Sequence, residues 1–150
     1  MQKIAIITSH CIQYQAPLFR AIAKQPDIDL TVFFGSDHGL ANDKVDPGFG
    51  RAFAWDIPLL EGYRHVFLKN SKPEYGVNDF MLDGPELKTY FRDGNYDAVV
   101  VFGWNNRLFL QAIWWANKFS VPLILRAESN LKHSQGWYVK AIKKFLFPVL

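Results

Sequence analysis

Short runs of consecutive hydrophobic residues alternate along this chain with segments in which hydrophobic positions recur every three to four residues. The short runs, rich in Val, Ile and Phe, are typical of strands that are buried on both faces of a parallel sheet. We predict four such strands, at residues 3–7, 30–34, 97–102 and 121–125. Each of them ends where the sequence becomes polar or contains glycine.

The periodic segments predict four helices. Pro17 suits the first position of a helix that ends near Lys24. Asp83, with Glu86 three residues later, predicts a capped helix start, and Gly94 predicts its end. The segment 106–119 is apolar over most of its circumference, so we expect that helix to be largely covered. A last helix is predicted over residues 136–147.

The region between the second and third main strands alternates less clearly. Residues 36–50 and 70–78 are predicted to be loops, and residues 52–56 and 65–68 short strands or extended segments. The rest of the chain alternates strand and helix, which predicts an α/β fold. We expect a Rossmann-like, doubly wound, mainly parallel sheet in three layers (α/β/α), with residues 1–150 forming a single domain.

Composition agrees with a globular domain and excludes several other classes. Of 150 residues, 49% are hydrophobic, and Cys11 is the only cysteine. Disorder, a disulfide scaffold and a collagen-like repeat are therefore excluded. The N-terminus lacks a secretory cleavage site, and no apolar run is long enough to span a membrane, so we expect a cytoplasmic protein.

Positive charge is concentrated near the C-terminus. Residues 1–100 contain 10 Lys and Arg against 13 Asp and Glu, a net −3, whereas residues 101–150 contain 7 against 1, a net +6. This asymmetry predicts an anionic partner on one side of the molecule. A nucleic acid is disfavoured, because no recognised nucleic-acid-binding module is present.

The common cofactor and catalytic motifs are absent. The sequence has no G-x-G-x-x-G after the first strand, no phosphate-binding P-loop and no G-x-S-x-G, and its histidines lack metal-ligand spacing. No metal site is predicted. We interpret Cys11 as a small buried residue rather than a nucleophile.

Ligands of doubly wound sheets bind beyond the carboxyl ends of the strands. Sugar sites combine aromatic faces with amide, carboxylate and guanidinium groups that bind hydroxyls. Such side chains are frequent at these strand ends, so we propose a substrate-binding set of His10, Gln13, Tyr14, Asp46, Arg51, Trp55, Asp56, Trp104, Asn106 and Arg126.

Other roles are open for some members of this set. Asn106 could simply cap the following helix. Asp46 and Arg51 flank two glycines, so they could belong to a loop over a ligand or to a simple turn with a surface ion pair. Trp55 could be a core residue.

Three segments of the chain resemble the N-terminal halves of family-four-like glycosyltransferases of the GT-B fold. The most specific is DPGFGRAFAWDIPLLEGY, from Asp46 to Tyr63; the others are YQAPLF, from Tyr14 to Phe19, and LRAES, from Leu125 to Ser129. The resemblance extends over the whole chain. It implies that this domain binds a sugar or lipid-linked acceptor and no cofactor of its own.

The same resemblance implies a division of labour. In that family a second Rossmann-like domain, absent here, binds the nucleotide-sugar donor, so this chain alone is expected to be inactive. Transfer of this type is retaining and metal-independent, without a dominant protein nucleophile. We select Glu128, the only acid of the basic third, and Asn105 as catalytic candidates, although Glu128 could instead pair with Arg126 or Lys132.

The sequence also departs from the family pattern. The acidic motif of the family's second half, two glutamates separated by seven residues, is absent. Where many relatives have glycines after the first strand this chain has Ser9, His10 and Cys11, and where they have a histidine it has the run Gly103 to Asn106. These departures weaken any residue-by-residue transfer of catalytic roles.

The predicted last helix has a basic face that contains aromatic residues: Trp137, Lys140, Lys143, Lys144 and Phe147. Aromatic residues between lysines are typical of contact with an anionic membrane surface, here the inner face of a membrane. Packing of Phe147 on the absent second domain is an equal alternative.

The rival hypothesis for the whole chain comes from another functional class. It is a non-enzymatic α/β module that binds a small ligand or a regulatory partner.

Overall fold

The computed structural model describes residues 1–37, 40, 45–46, 51–52, 57–69 and 80–126. Its centre is a five-stranded parallel sheet with strand order β5-β2-β1-β6-β7. The strands are β1 (Gln2–Thr8), β2 (Ile28–Phe34), β5 (Arg64–Phe67), β6 (Ala98–Val101) and β7 (Leu123–Leu125). The predicted main strands are confirmed, with shifts of one or two residues at their ends.

Three helices cover the two faces of this sheet: α1 (Ala16–Ala23), α2 (Leu87–Asp93) and α3 (Arg107–Lys118). On one face, Phe19 of α1 packs in a core with Ile6 and Phe34. On the other face, α2 and α3 pack over the alternate residues of the same strands, among them Ile7 and Val99. The molecule is therefore a three-layer α/β/α, Rossmann-like fold, as predicted.

The sheet is wound outward in both directions from β1. The chain passes from β1 through α1 to β2 on one side, and from β6 through α3 to β7 on the other. Because strand-helix-strand crossovers are right-handed, opposite directions of travel place α1 and α3 on opposite faces. The loops after β1 and β6 consequently diverge, and a crevice forms between them at the carboxyl edge of the sheet.

The predicted start of α2 is wrong. The helix begins at Leu87, with Glu86 in the N-cap position and no side-chain cap. Both carboxylates of the expected capping box make contacts elsewhere. The Asp83 carboxylate lies 3.7 Å from the guanidinium of Arg107, and the Glu86 carboxylate accepts a hydrogen bond from the Lys69 backbone N–H. Tertiary partners therefore replace the local cap.

Helix α3 is largely covered, as expected: eight of its twelve residues are buried or partly buried. The buried residues lie on one face, which packs on the sheet and α2. Trp114 is the apolar exception, because it lies on the other side and is 65% exposed. A helix in an outer layer of a three-layer fold has one covered side.

Part of the predicted loop 36–50 is instead a small hairpin. Strands β3 (Val45–Asp46) and β4 (Arg51–Ala52) pair antiparallel, with Asp46 opposite Arg51. The short strand predicted at 52–56 is described only at its first residue, and the helix predicted at 136–147 lies outside the described residues.

Candidate functional site

The crevice at the carboxyl edge of the sheet is bordered by two loops, residues 9–15 after β1 and residues 102–106 after β6. We call it the switch-point crevice. Six of the predicted site residues with described side chains lie in these loops: His10, Gln13, Tyr14, Trp104, Asn105 and Asn106. The fold thus brings together residues that are about ninety positions apart in the sequence.

The loop after β1 is held by its own polar side chains. Ser9 Oγ and His10 Nδ1 are hydrogen-bonded at 2.8 Å, and the Thr8 hydroxyl lies 3.4 Å from Gln15 Oε1. The Ile12 carbonyl accepts hydrogen bonds from the backbone N–H groups of Gln15 and Ala16 as α1 begins. These hydrogen bonds hold the loop in a compact turn, with His10 partly buried beside Ser9.

Tyr14 belongs to the same loop and is 59% exposed. An exposed aromatic ring beside a polar loop offers the apolar face and the hydroxyl that a sugar ring requires. Gln13, which is partly buried, completes the predicted set on this side of the crevice.

The loop after β6 depends on a glycine. Gly103 has φ +140°, which side-chain-bearing residues rarely adopt, and a Cβ there would lie 2.7 Å from the Phe109 ring. The close approach lets the chain turn sharply from β6 into α3. Trp104 follows, partly buried against the core on the α3 side, and Asn105 is exposed.

Asn106 acts as the N-cap of α3. It is 1% exposed, and its Oδ1 accepts a hydrogen bond from Phe109 N at 3.0 Å. The structure therefore supports the capping alternative considered for this residue. Its buried Nδ2 has no hydrogen-bond partner among the residues that the structure describes. A ligand would reach it only if the loop moved.

The N-terminus of α3 is already satisfied by the protein. The N–H of Arg107 donates to the Phe80 carbonyl (3.1 Å), that of Leu108 to the Leu82 carbonyl (2.7 Å), and that of Phe109 to Asn106. Helix N-termini bind anions through such N–H groups when they are unpaired. The end of α3 at the crevice therefore offers no phosphate site.

Arg126 follows β7 and lies at the β6 side of the crevice. Its backbone N–H donates to the Val101 carbonyl at 2.9 Å, and its guanidinium lies 4.7 Å from the centre of the Phe102 ring. The stacked guanidinium is an oriented hydrogen-bond donor next to the loop that contains Trp104.

Sequence reasoning missed Ser9 and Asp37. Ser9 lies just beyond the first predicted strand, but its hydrogen bond to His10 depends on the conformation of the turn. Asp37, after β2, has a buried Oδ1 without a hydrogen-bond partner in the described part of the chain. The only sequence signal for either residue is its position just beyond a strand.

Cys11 is buried in the α1-side core at 2% exposure, which confirms the structural interpretation. Burial, together with the nearby charge of Asp37, raises the pKa of its thiol to about 12. The thiol therefore stays protonated near neutral pH and is not a nucleophile.

The remaining predicted site residues cannot be positioned. Asp46 and Arg51 are described only as hairpin backbone. The others lie outside the described residues: Trp55, Asp56, Glu128, Trp137, Lys140, Lys143, Lys144 and Phe147.

Neither a metal site nor a membrane-spanning helix is present in the described ranges. No three His, Cys, Asp or Glu side chains there come together as a metal site, and no described helix is long and apolar enough to cross a membrane.

Comparison of the chain with models of known protein families and with curated proteins gives no match. The functional assignment therefore depends on the fold, the crevice and the resemblance carried by the sequence segments.

Proposed function

We propose that this chain is the acceptor-binding domain of a nucleotide-sugar-dependent glycosyltransferase of the GT-B fold, and that the acceptor sugar binds in the switch-point crevice. The observation that carries the proposal is the convergence of His10 and Tyr14, after β1, with Trp104 and Asn105, after β6, at the point where the winding of the sheet reverses.

The chemistry of the crevice suits a hydroxyl-rich ligand. Tyr14 presents an exposed ring, Asn105 an exposed amide that can both donate and accept, and Arg126 a guanidinium held on Phe102. These groups can stack on a sugar ring and hydrogen-bond its hydroxyls without a metal ion. A neutral polyol fits this mixture better than an inorganic anion does.

The helix ends at the crevice favour an acceptor over a nucleotide donor. The first-turn N–H groups of α3 are taken by Phe80, Leu82 and Asn106, and Pro17 removes one N–H from the start of α1. A diphosphate bound to this domain would need such groups unpaired. The donor therefore belongs to a second domain, which the resemblance also implies.

The enzyme assembled from both domains would transfer the sugar with retention and without a metal ion, to a glycan or lipid-linked acceptor, at the cytoplasmic face of a membrane. In this scheme Asn105 touches the acceptor at the reacting end of the crevice. Glu128, in the segment after β7, is the candidate carboxylate.

Acceptor binding can be tested with ¹⁵N-labelled protein and a panel of mono- and oligosaccharides. We expect sugar to change the amide chemical shifts of residues 9–15 and 103–106. Asn105→Ala should bind the sugar about tenfold more weakly, because one good hydrogen bond is lost. Asn117→Ala changes an exposed asparagine near the far end of the same helix and should bind normally. Shifts produced in the crevice by a nucleotide sugar instead would overturn the acceptor assignment.

Catalysis requires a separate experiment. The chain alone should transfer no sugar from nucleotide donors, whereas the product of the full coding sequence should do so. Sugar binding in the crevice without any transfer by that product would favour the non-enzymatic binding module. Transfer by these 150 residues alone would contradict the proposed division of labour.

A further inference from the structure

The outer face of α3 forms a second surface that the crevice does not use. Arg107, Gln111, Trp114 and Lys118 are spaced by four, three and four residues, which places them within a narrow arc of the helix. Leu108, Ala112 and Ala116 are buried on the opposite side. Arg107, Trp114 and Lys118 are exposed, whereas Gln111 is partly buried and its Oε1 accepts a hydrogen bond from the Gly84 N–H at 2.9 Å. We call this row of four residues the α3 ridge.

Trp114 is the prominent feature of this ridge. At 65% exposure it is among the most exposed large hydrophobic side chains of the described chain. Phe80 and Met81 lie near the N-terminal end of the ridge, where the Arg107 N–H donates to the Phe80 carbonyl at 3.1 Å, and both are exposed. Exposed apolar side chains thus occur near the N-terminal end of the ridge as well as at Trp114.

The charge of this surface is positive at the Trp114 end. Helix α3 contains no acidic residue over its twelve positions. Lys88 of α2 and Lys118 of α3 both hold their ammonium groups 5.4 Å from the centre of the ring of Trp115, the residue that follows Trp114. At the N-terminal end of the ridge the Asp83 carboxylate lies 3.7 Å from the Arg107 guanidinium, and the Glu86 carboxylate, two residues before Lys88, accepts a hydrogen bond from the Lys69 N–H.

We propose that the α3 ridge contacts an anionic lipid bilayer. Tryptophan favours the membrane interface because its ring is apolar and its N–H can bond to headgroups or water. Lysines beside it attract phosphate-bearing lipids, at roughly 1 kcal/mol for each charge near the surface. The ridge would lie flat on the headgroups, with Trp114 inserted and Lys88 and Lys118 at phosphate level. The inference does not depend on the glycosyltransferase assignment, because the crevice plays no part in it.

The test is co-sedimentation of the full chain with phosphatidylcholine vesicles, with and without phosphatidylglycerol. We expect binding only to the anionic vesicles, weakening as salt is added. Lys118→Glu should weaken it by about fivefold or more, the equivalent of one to two surface charges, and Trp114→Ala by a similar factor. Brominated lipids should quench the tryptophan fluorescence of the unchanged protein, and most of this quenching should be lost in Trp114→Phe.

Matched variants separate this surface from others. Ile124→Ser removes an apolar side chain that is 57% exposed on edge strand β7, away from the ridge, and should bind vesicles normally. The triple change Lys140→Glu, Lys143→Glu and Lys144→Glu reports on the predicted last helix. If that triple variant loses binding while the α3 variants retain it, the proposal is overturned.

Other outcomes also decide the question. Absence of vesicle binding, or equal binding to neutral and anionic vesicles, would overturn the proposal. Self-association of the chain that Trp114→Ala abolishes, without vesicle binding, would assign the ridge to a second copy instead. Sugar-induced shifts should be unchanged in Trp114→Ala, so failure of this proposal is distinguishable from failure of the acceptor assignment.

Discussion

Asn106 connects the crevice to the helix behind it. Its Oδ1 caps α3, which fixes the amide so that Nδ2 is the group left in the interior without a described partner. The side chain thereby holds the start of α3, directly after the loop that contains Trp104 and Asn105. The sequence is compatible with helix capping and with sugar binding by Asn106, because the same side-chain amide can do either.

Replacing the cap should destabilise the protein measurably. We expect Asn106→Ala to lower the free energy of unfolding by about 1–2 kcal/mol, because the Phe109 N–H loses its acceptor while buried. Urea unfolding followed by circular dichroism measures this. Asn106→Ser keeps a capping oxygen and should lose less. Asn105→Ala, at the exposed neighbour, should change stability by under about 0.5 kcal/mol; an equal loss there would contradict the capping role.

The connection between β6 and α3 determines where the site lies. Strand β6 pairs with β1 on one side and β7 on the other, so its end is fixed from both directions. Gly103 then redirects the chain, and the Phe109 ring packs where a Cβ would be. Hydrophobic pattern predicted both elements of this connection, but the positive φ between them became evident only from the backbone.

Gly103→Ala should therefore be more disruptive than an ordinary glycine substitution. A side chain at φ +140° is strained by about 1–3 kcal/mol, and the contact with Phe109 adds to it. We expect a lower melting temperature together with weaker sugar binding. Gly62→Ala is the matched control, because Gly62 also has positive φ (+84°) but meets only the flexible side chain of Arg20. Equal losses in the two variants would mean that Phe109 contributes nothing.

For the molecule as a whole, the buried Cys11 and the partly buried Tyr63 on the α1 side link stability to pH. The pKa of Cys11 is raised from 9.0 to about 12, chiefly by burial. The pKa of Tyr63 is raised above its ordinary value of 10, first by burial and then by Cys11, while its hydroxyl donates to the Leu59 carbonyl. Both groups keep their protons longer in the folded state than in the unfolded state.

Stability should consequently fall as pH rises above about 9. The folded protein binds more protons than the unfolded chain over this range, so the free energy of unfolding decreases with pH. Urea titrations at pH 7, 9 and 10.5 measure the slope. Cys11→Ala and Tyr63→Phe should each make it shallower, because each removes one of the two groups. A slope unaffected by both core variants would contradict this origin.

The sequence by itself determined the fold class, because continuous apolar strands alternating with periodic segments can be buried in few ways other than a doubly wound sheet. It also determined that Cys11 is a core residue. It could not determine that Asp83 lies beside Arg107, or that Glu86 accepts a hydrogen bond from the Lys69 N–H, because these partners are distant in sequence. From the sequence alone, both carboxylates are predicted to cap a helix. The helical spacing does place Trp114 on one stripe with Arg107, Gln111 and Lys118, and the structure shows that Trp114 is exposed there.

The position of the crevice is another feature that the sequence could not determine. Polar strand ends are visible in the sequence, but only the strand order places the loops after β1 and β6 side by side, with the helices leaving to opposite faces. Local residue choices specify elements through backbone preference and hydrophobic period. Sites and surfaces depend on contacts between elements, and the tertiary structure alone decides those contacts.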